Sequence, residues 1–91
     1  MSSDYELRLS GAARRAPQQE LPLAIALAVW EFCSRPLRKD PRRVGKPLGH
    51  ELAGYFSARR GAYRVIYRLS EESRVVHVVR IEHRADVYRR R

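Results

Sequence analysis

The chain has 91 residues, a net charge of +9 and 44% hydrophobic residues. That length holds one modest core and no second domain, and that hydrophobic content is too high for a disordered chain. So large a charge on so small a surface calls for a polyanionic partner, nucleic acid or an acidic protein, while the longest apolar run, Leu21 to Trp30, is 10 residues, well short of the roughly 20 that cross a bilayer.

In chain order, "YELRL" (5–9) alternates and predicts a first strand, with Tyr5, Leu7 and Leu9 on one face and Glu6 and Arg8 on the other. Ser10 is placed to cap a short helix over "GAARRAPQQ", which Pro17 weakens. Pro22 fits the first turn of a stronger helix over 22–34, "PLAIALAVWEFCS". That helix is apolar nearly all round. Ile25, Val29 and Phe32 form one stripe, expected to cover a sheet. Leu23, Leu27 and Trp30 form another, expected to lie under the first helix, with a partner protein as the alternative. Cys33 is the single cysteine, so no internal disulfide is possible, and it reads as a small buried hydrophobe of this helix.

Residues 35–51 read as a basic loop punctuated by Pro36, Pro41, Gly45, Pro47 and Gly49. Three strands follow, over 52–59, 62–69 and 74–83, with "SEES" (70–73) as the last turn. On the middle strand Tyr63, Val65, Tyr67 and Leu69 point one way and Arg64, Ile66 and Arg68 the other. On the last, Val75, His77, Val79 and Ile81 share the core face, and His83 has the same parity. The expected fold is α+β, one domain over 1–91: an N-terminal strand, two helices packed on one sheet face, then a three-strand antiparallel meander.

The charge is unevenly spread. Residues 1–34 carry 3 basic and 4 acidic groups, residues 35–68 carry 10 and 2, and residues 69–91 carry 6 and 4. A merely solvated surface mixes its signs, so the half from 35 to 68 is expected to bind an anion.

The segment "PRRVGKPLGHELAGYFSARRGAYRVIYRL" (41–69) resembles the central part of the RelE branch of the RelE/ParE toxin superfamily. "IEHRADVYRR" (81–90) resembles the closing part of the same branch. The order strand–helix–helix–strand–strand–strand also matches. The resemblance implies a small bacterial endoribonuclease that enters the ribosomal A site and cuts mRNA. It implies a cognate antitoxin that silences the toxin. It implies attack by the RNA's own 2′-hydroxyl, leaving a 2′,3′-cyclic phosphate and a free 5′-hydroxyl, with no metal and no other cofactor. A cytoplasmic, membrane-free and monomeric free toxin is expected.

That chemistry needs a deprotonated 2′-oxygen, cations around a phosphorane and a protonated leaving oxygen. Arginine suits the middle task because its planar fork grips two phosphate oxygens and stays charged. Arg64 matches the strand arginine of the family's "YR" motif, and Arg59 a basic position beside the site. Arg84, in the closing motif, would hold the phosphate from the other side. His83 can titrate near neutrality and carry a proton. Tyr88 matches the family's C-terminal tyrosine, which would stack on a base or help proton transfer. Arg35, Arg38, Lys39, Arg42, Arg43, Lys46 and Arg60 are the candidates for holding ribosomal RNA or mRNA. One departure stands out. Some relatives carry lysines on the strand that here reads "GYFSARR", so either His83 and Arg59 take over the proton work or this member is a weaker catalyst. The competing readings are a ParE-type gyrase inhibitor on the same fold and a nucleic-acid-binding module without catalysis.

Overall fold

The computed structural model describes residues 4–16 and 21–83. Its elements are β1 (Glu6–Leu9), α1 (Gly11–Arg15), α2 (Leu23–Ser34), α3 (Pro36–Lys39), α4 (Pro41–Val44), β2 (Lys46–Pro47), a 3₁₀ turn (His50–Leu52), β3 (Tyr55–Arg60), β4 (Tyr63–Ser70) and β5 (Val75–His83). The fold is α+β, as expected. The five strands form one sheet in the order β1-β5-β4-β3-β2. Strands β2 to β5 are antiparallel to their neighbours, and β1 lies parallel to β5.

Local chemistry explains most of these bounds. Ser10 caps α1 by accepting the Ala13 N–H at 3.0 Å and donates to the Val79 carbonyl at 2.8 Å, fixing α1 to β5. Gly61 takes φ +56° in the two-residue link between β3 and β4, where a tight hairpin needs a left-handed first residue. Pro36 and Pro41 each open a one-turn helix, a position where the missing N–H costs nothing. The expected loop over 35–51 is therefore corrected: it contains α3, α4, β2 and the 3₁₀ turn. The strand expected over 52–59 begins at Tyr55 rather than at Leu52, after Gly54 at φ +95°. Of the expected helix over 11–19, Gly11–Arg15 is helical, and the part after Ala16 lies outside the described residues.

The helices pack on one face of the sheet. Val29, Phe32 and Cys33 of α2 are buried there with Tyr63, Val65 and Tyr67 of β4, Phe56 and Ala58 of β3, and Val76, Val78 and Ile81 of β5. Burial pushes the Cys33 thiol up to about 12, so it is an inert core residue. The stripe Leu23, Leu27 and Trp30 is exposed, at 74%, 60% and 58%, which overturns its expected burial under the first helix. A helix as short as α1 cannot cover it; Ala13 and Ala16 turn instead into the core.

Tyr67 is the deepest large side chain, fully buried and stacked on Phe56 at 5.5 Å and 13°. Its hydroxyl donates to the Pro41 carbonyl at 2.5 Å, anchoring the first turn of α4. Gly45 passes so close to this hydroxyl that a Cβ would collide with it and crowd the Ser57 carbonyl.

A second anchor joins the other end of the molecule. Glu71 accepts from the Tyr5 hydroxyl at 2.7 Å and pairs with Arg42 at 2.6 Å. These bonds hold its carboxyl below the usual range, the Tyr5 hydrogen bond most strongly and Arg42 next. A carboxyl whose folded pKa is depressed adds stability above its unfolded pKa and loses it as pH falls through the folded value. Glu71→Gln is therefore expected to melt at a lower temperature than wild type at pH 7. The two melting curves should converge as the pH falls through the depressed folded pKa of Glu71, where both side chains become neutral. Calorimetry across that range checks it.

Candidate nucleic-acid interface

Directly paired residues of neighbouring strands share a face, so the register sorts every side chain. The face opposite the helices carries four rows, the last being Ser70–Val75–Glu6 across β4, β5 and β1. The first is Arg59–Arg64–Glu82 across β3, β4 and β5. The second is Lys46–Ser57–Ile66–Arg80 across β2 to β5. The third is Tyr55–Arg68–His77–Arg8, reaching β1. This face therefore sets Lys46, Arg59, Arg64, Arg68, Arg80 and Arg8 against Glu82 and Glu6 alone among the described residues.

A bulge decides the last strand. Ile66 pairs with Arg80, but Tyr67 pairs with Val78, so Val79 is the extra residue. Parity reverses at that point. Val76 and Val78 face the core below the bulge, and Ile81 and His83 above it. The expected single face of Val75, His77, Val79 and Ile81 is corrected: His77 stands on the basic face beside Arg68 and Arg8. Doubled valines at 75–76 and 78–79 were the signal, since apolar neighbours on both faces do not follow a strict period of two.

The candidate residues fall into separate groups. Arg59 and Arg64 are directly opposite one another on the open face, and Arg64 reaches Glu82 at 3.7 Å. His83 pairs with Tyr63, on the helix-covered side of the sheet end, so the structure does not bring it to the Arg64 face. Arg60 is on that side too. It lies 4.8 Å over the Phe32 ring and donates to the Val44 carbonyl at 3.2 Å. Arg84 and Tyr88 lie outside the described residues.

The basic segment before β2 divides in the same way. Arg38 turns inward, donating to the Tyr5 carbonyl at 2.8 Å. Arg42 is held by Glu71 and lies 5.7 Å over the Phe56 ring. Arg35 pairs with Glu31 at 3.3 Å on the surface. Lys39, Arg43 and Lys46 are exposed, and among the described residues their side chains make no hydrogen bond or ion pair. Of these, Lys46 shares the open face with Arg59 and Arg64. No three His, Cys, Asp or Glu side chains converge on a metal-sized site among the described residues.

Two residues on this face were absent from the sequence reading. Arg80 contacts Glu82 at 3.2 Å, so Glu82 stands between Arg64 and Arg80. The bulge brings them there, and local alternation does not reveal it. Chemically, the first row offers two adjacent guanidinium forks and one carboxylate, a combination suited to a phosphodiester and a proton.

The family described as "ParE toxin of type II toxin-antitoxin system, parDE" matches residues 13–88. The chain belongs to the RelE/ParE superfamily of type II toxins. Curated relatives of this superfamily include "Toxin RelG" of Mycobacterium tuberculosis, 51% identical over 86 residues, covering 94% of this chain and 98% of the relative. "Toxin RelE" of the same organism is 41% identical over 90 residues, covering 98% and 93%. Among solved structures, the toxin–antitoxin complex RelBE2 from Mycobacterium tuberculosis has a chain that matches with a TM-score of 0.85 at 48% identity, over 89% of this chain and 99% of that one. The isolated E. coli RelE toxin shares the fold, with a TM-score of 0.70 at 19% identity, over 92% and 90%. The RelE/ParE fold thus covers nearly all of the chain, as the sequence motifs implied.

Proposed function

We propose that this toxin is a ribosome-dependent mRNA endoribonuclease that cuts the A-site codon through the substrate's own 2′-hydroxyl and so arrests translation in the cytoplasm. One observation carries the reading: Arg59 and Arg64 are paired across adjacent strands of the uncovered face. Like charges directly opposite on a sheet repel, and the arrangement is relieved by an anion bound between them. A phosphate there meets two forks, and a transition state carrying more negative charge meets them more strongly still. Lys46 and Arg80, one row away, continue the positive track for the flanking backbone. Lys39 and Arg43 add an exposed basic rim that fits ribosomal RNA. Arg84 and Tyr88 keep the phosphate-holding and stacking roles that the resemblance to RelE-like toxins gives them.

The test is purified protein added to mRNA with and without programmed ribosomes. Cuts confined to the A-site codon and dependent on ribosomes support the reading, and no cut by folded protein rejects it. The matching family carries the name of ParE, which favours a second reading, gyrase inhibition. Inhibited supercoiling by a protein that leaves mRNA intact would establish it.

The relatives solved as RelBE complexes suggest a cognate antitoxin here too. Its landing site is the exposed α2 stripe of Leu23, Leu27 and Trp30, at i, i+4 and i+7, next to a shallow groove lined by Trp30, Ser34, Glu6 and Leu7. A partly disordered acidic segment would fold against it on binding. Trp30→Ala is expected to weaken antitoxin binding at least 10-fold, within the range of a buried aromatic anchor. It should leave mRNA cleavage unchanged. Calorimetric titration and the cleavage assay together check this.

A further inference from the structure

The proposed reaction needs a group that removes the 2′-hydroxyl proton, and β3 carries no lysine, its open face holding Tyr55, Ser57 and Arg59. The register narrows the choice among the described residues. His83 is on the other face from Arg64. His77 is on the right face but two rows away. A strand advances about 3.4 Å per residue, so its row lies about 14 Å from that of Arg64. Lys46 is one row away, at the other end of the row that runs through Ser57 and Ile66 to Arg80, and two strands from Arg64. Arginine does not give up its proton at physiological pH. Glu82 alone stands in the same row as the Arg59–Arg64 pair, on the next strand, with its carboxylate 3.7 Å from the Arg64 guanidinium.

Resting on the nuclease reading, we infer that Glu82 is the general base of this toxin: its carboxylate takes the 2′-hydroxyl proton while Arg64 and Arg59 hold the adjacent phosphate. The 2′-oxygen then bonds to phosphorus, the bond from phosphorus to the 5′-oxygen breaks, and that oxygen takes a proton from water. The products are a 2′,3′-cyclic phosphate and a 5′-hydroxyl, and Glu82 returns its proton to solvent. The geometry has a simple logic. The 2′-carbon is next to the 3′-oxygen of the scissile phosphate, so a base beside the phosphate-holding arginine is within reach of its proton, and neighbouring strands are about 4.8 Å apart. In the free protein the carboxylate occupies the arginines that the phosphate would claim. When RNA binds, the phosphate takes the Arg64 fork and frees the carboxylate oxygen toward the ribose.

The charged groups that face Glu82 are Arg64 from β4 and Arg80 from its own strand, with Arg59 beyond Arg64. Of the other elements packed on β5, β1 brings Glu6 and Arg8, paired with Val75 and His77 toward the far end of the strand, and α1 brings Arg14 and Arg15.

The experiment is single-turnover cleavage on programmed ribosomes with wild type, Glu82→Gln, Glu82→Asp and Glu82→Ala, each shown to be folded by circular dichroism, with and without added formate. Glu82→Gln should lose about 100-fold in rate. Glu82→Asp should keep part of it. Formate, a small carboxylate that can take the proton in the emptied site, should restore Glu82→Ala in proportion to its concentration and leave wild type unchanged. A slow Glu82→Ala enzyme that formate does not restore would overturn the assignment, as would a Glu82→Gln enzyme of wild-type rate; Glu82 would then only position Arg64. Failure of wild type to cleave would overturn the nuclease reading itself and this role with it, an outcome distinct from the other two.

Discussion

Arg64→Ala is expected to lose about 10³-fold in cleavage rate, in the range seen when one transition-state donor is removed. It should leave the fold intact. The physical reason is the separation of function from packing on β4. Arg64 points to the open face, with a side chain 43% exposed, and its one ion pair is a 3.7 Å contact with Glu82. Surface pairs of this kind are worth less than about 1 kcal/mol. Removing Arg64 also removes its repulsion with Arg59 across the strand pair, so the melting temperature should equal or exceed that of wild type. Arg64→Lys separates charge from shape. It keeps the cation but loses the bidentate fork, and is expected to fall between wild type and alanine. Measured together, rate and melting temperature distinguish a catalytic arginine from a structural one. A slow, destabilised variant would point to a role in the sheet instead.

The opposite pattern is expected one face away. Tyr67→Ala should destabilise the protein by about 3–5 kcal/mol, as for other buried aromatics cut to alanine. Domains of this size have only about 5–15 kcal/mol in all. Tyr67 is fully buried, stacks on Phe56 and holds the Pro41 carbonyl at the start of α4. Burial pushes its hydroxyl up to about 12, so it remains a donor across the physiological range. Tyr67→Phe keeps the ring and loses the hydrogen bond, leaving the Pro41 carbonyl unpaired, and should cost about 1 kcal/mol. Urea denaturation measures both. Because α4 leads through Gly45 into Lys46 on the open face, loosening this anchor should also weaken RNA binding, although Tyr67 lies on the far side of the sheet.

The strand carrying Tyr63 to Ser70 was legible in the sequence because one face is buried and the other wet, so its alternation is strict. The core stripe of α2, Ile25, Val29 and Phe32, was legible for the same reason. The family was legible because its motifs are contiguous. Three other features depend on non-local contacts. The parity of β5 reverses at Val79, and a bulge is set by pairing with β4 rather than by local composition. Whether Leu23, Leu27 and Trp30 are covered depends on the reach of α1, which five helical residues do not provide. The segment 35–51 looks like a loop because its prolines mark turns, yet two of them open single-turn helices that pack beneath the sheet edge. The cost of missing the bulge was specific. It hid the neighbourhood of Arg64, Arg80 and Glu82 and placed His77 with the core.

The most direct measurement is cleavage of an mRNA carrying a single 2′-deoxyribose on the 5′ side of the bond that is cut in the ribosomal A site. If the open face of this sheet performs 2′-hydroxyl attack, the all-ribose message is cut to a 2′,3′-cyclic phosphate and the substituted bond stays intact. Cleavage of the substituted bond at a comparable rate would contradict that chemistry, and with it the roles given to the arginines and the carboxylate of the first row.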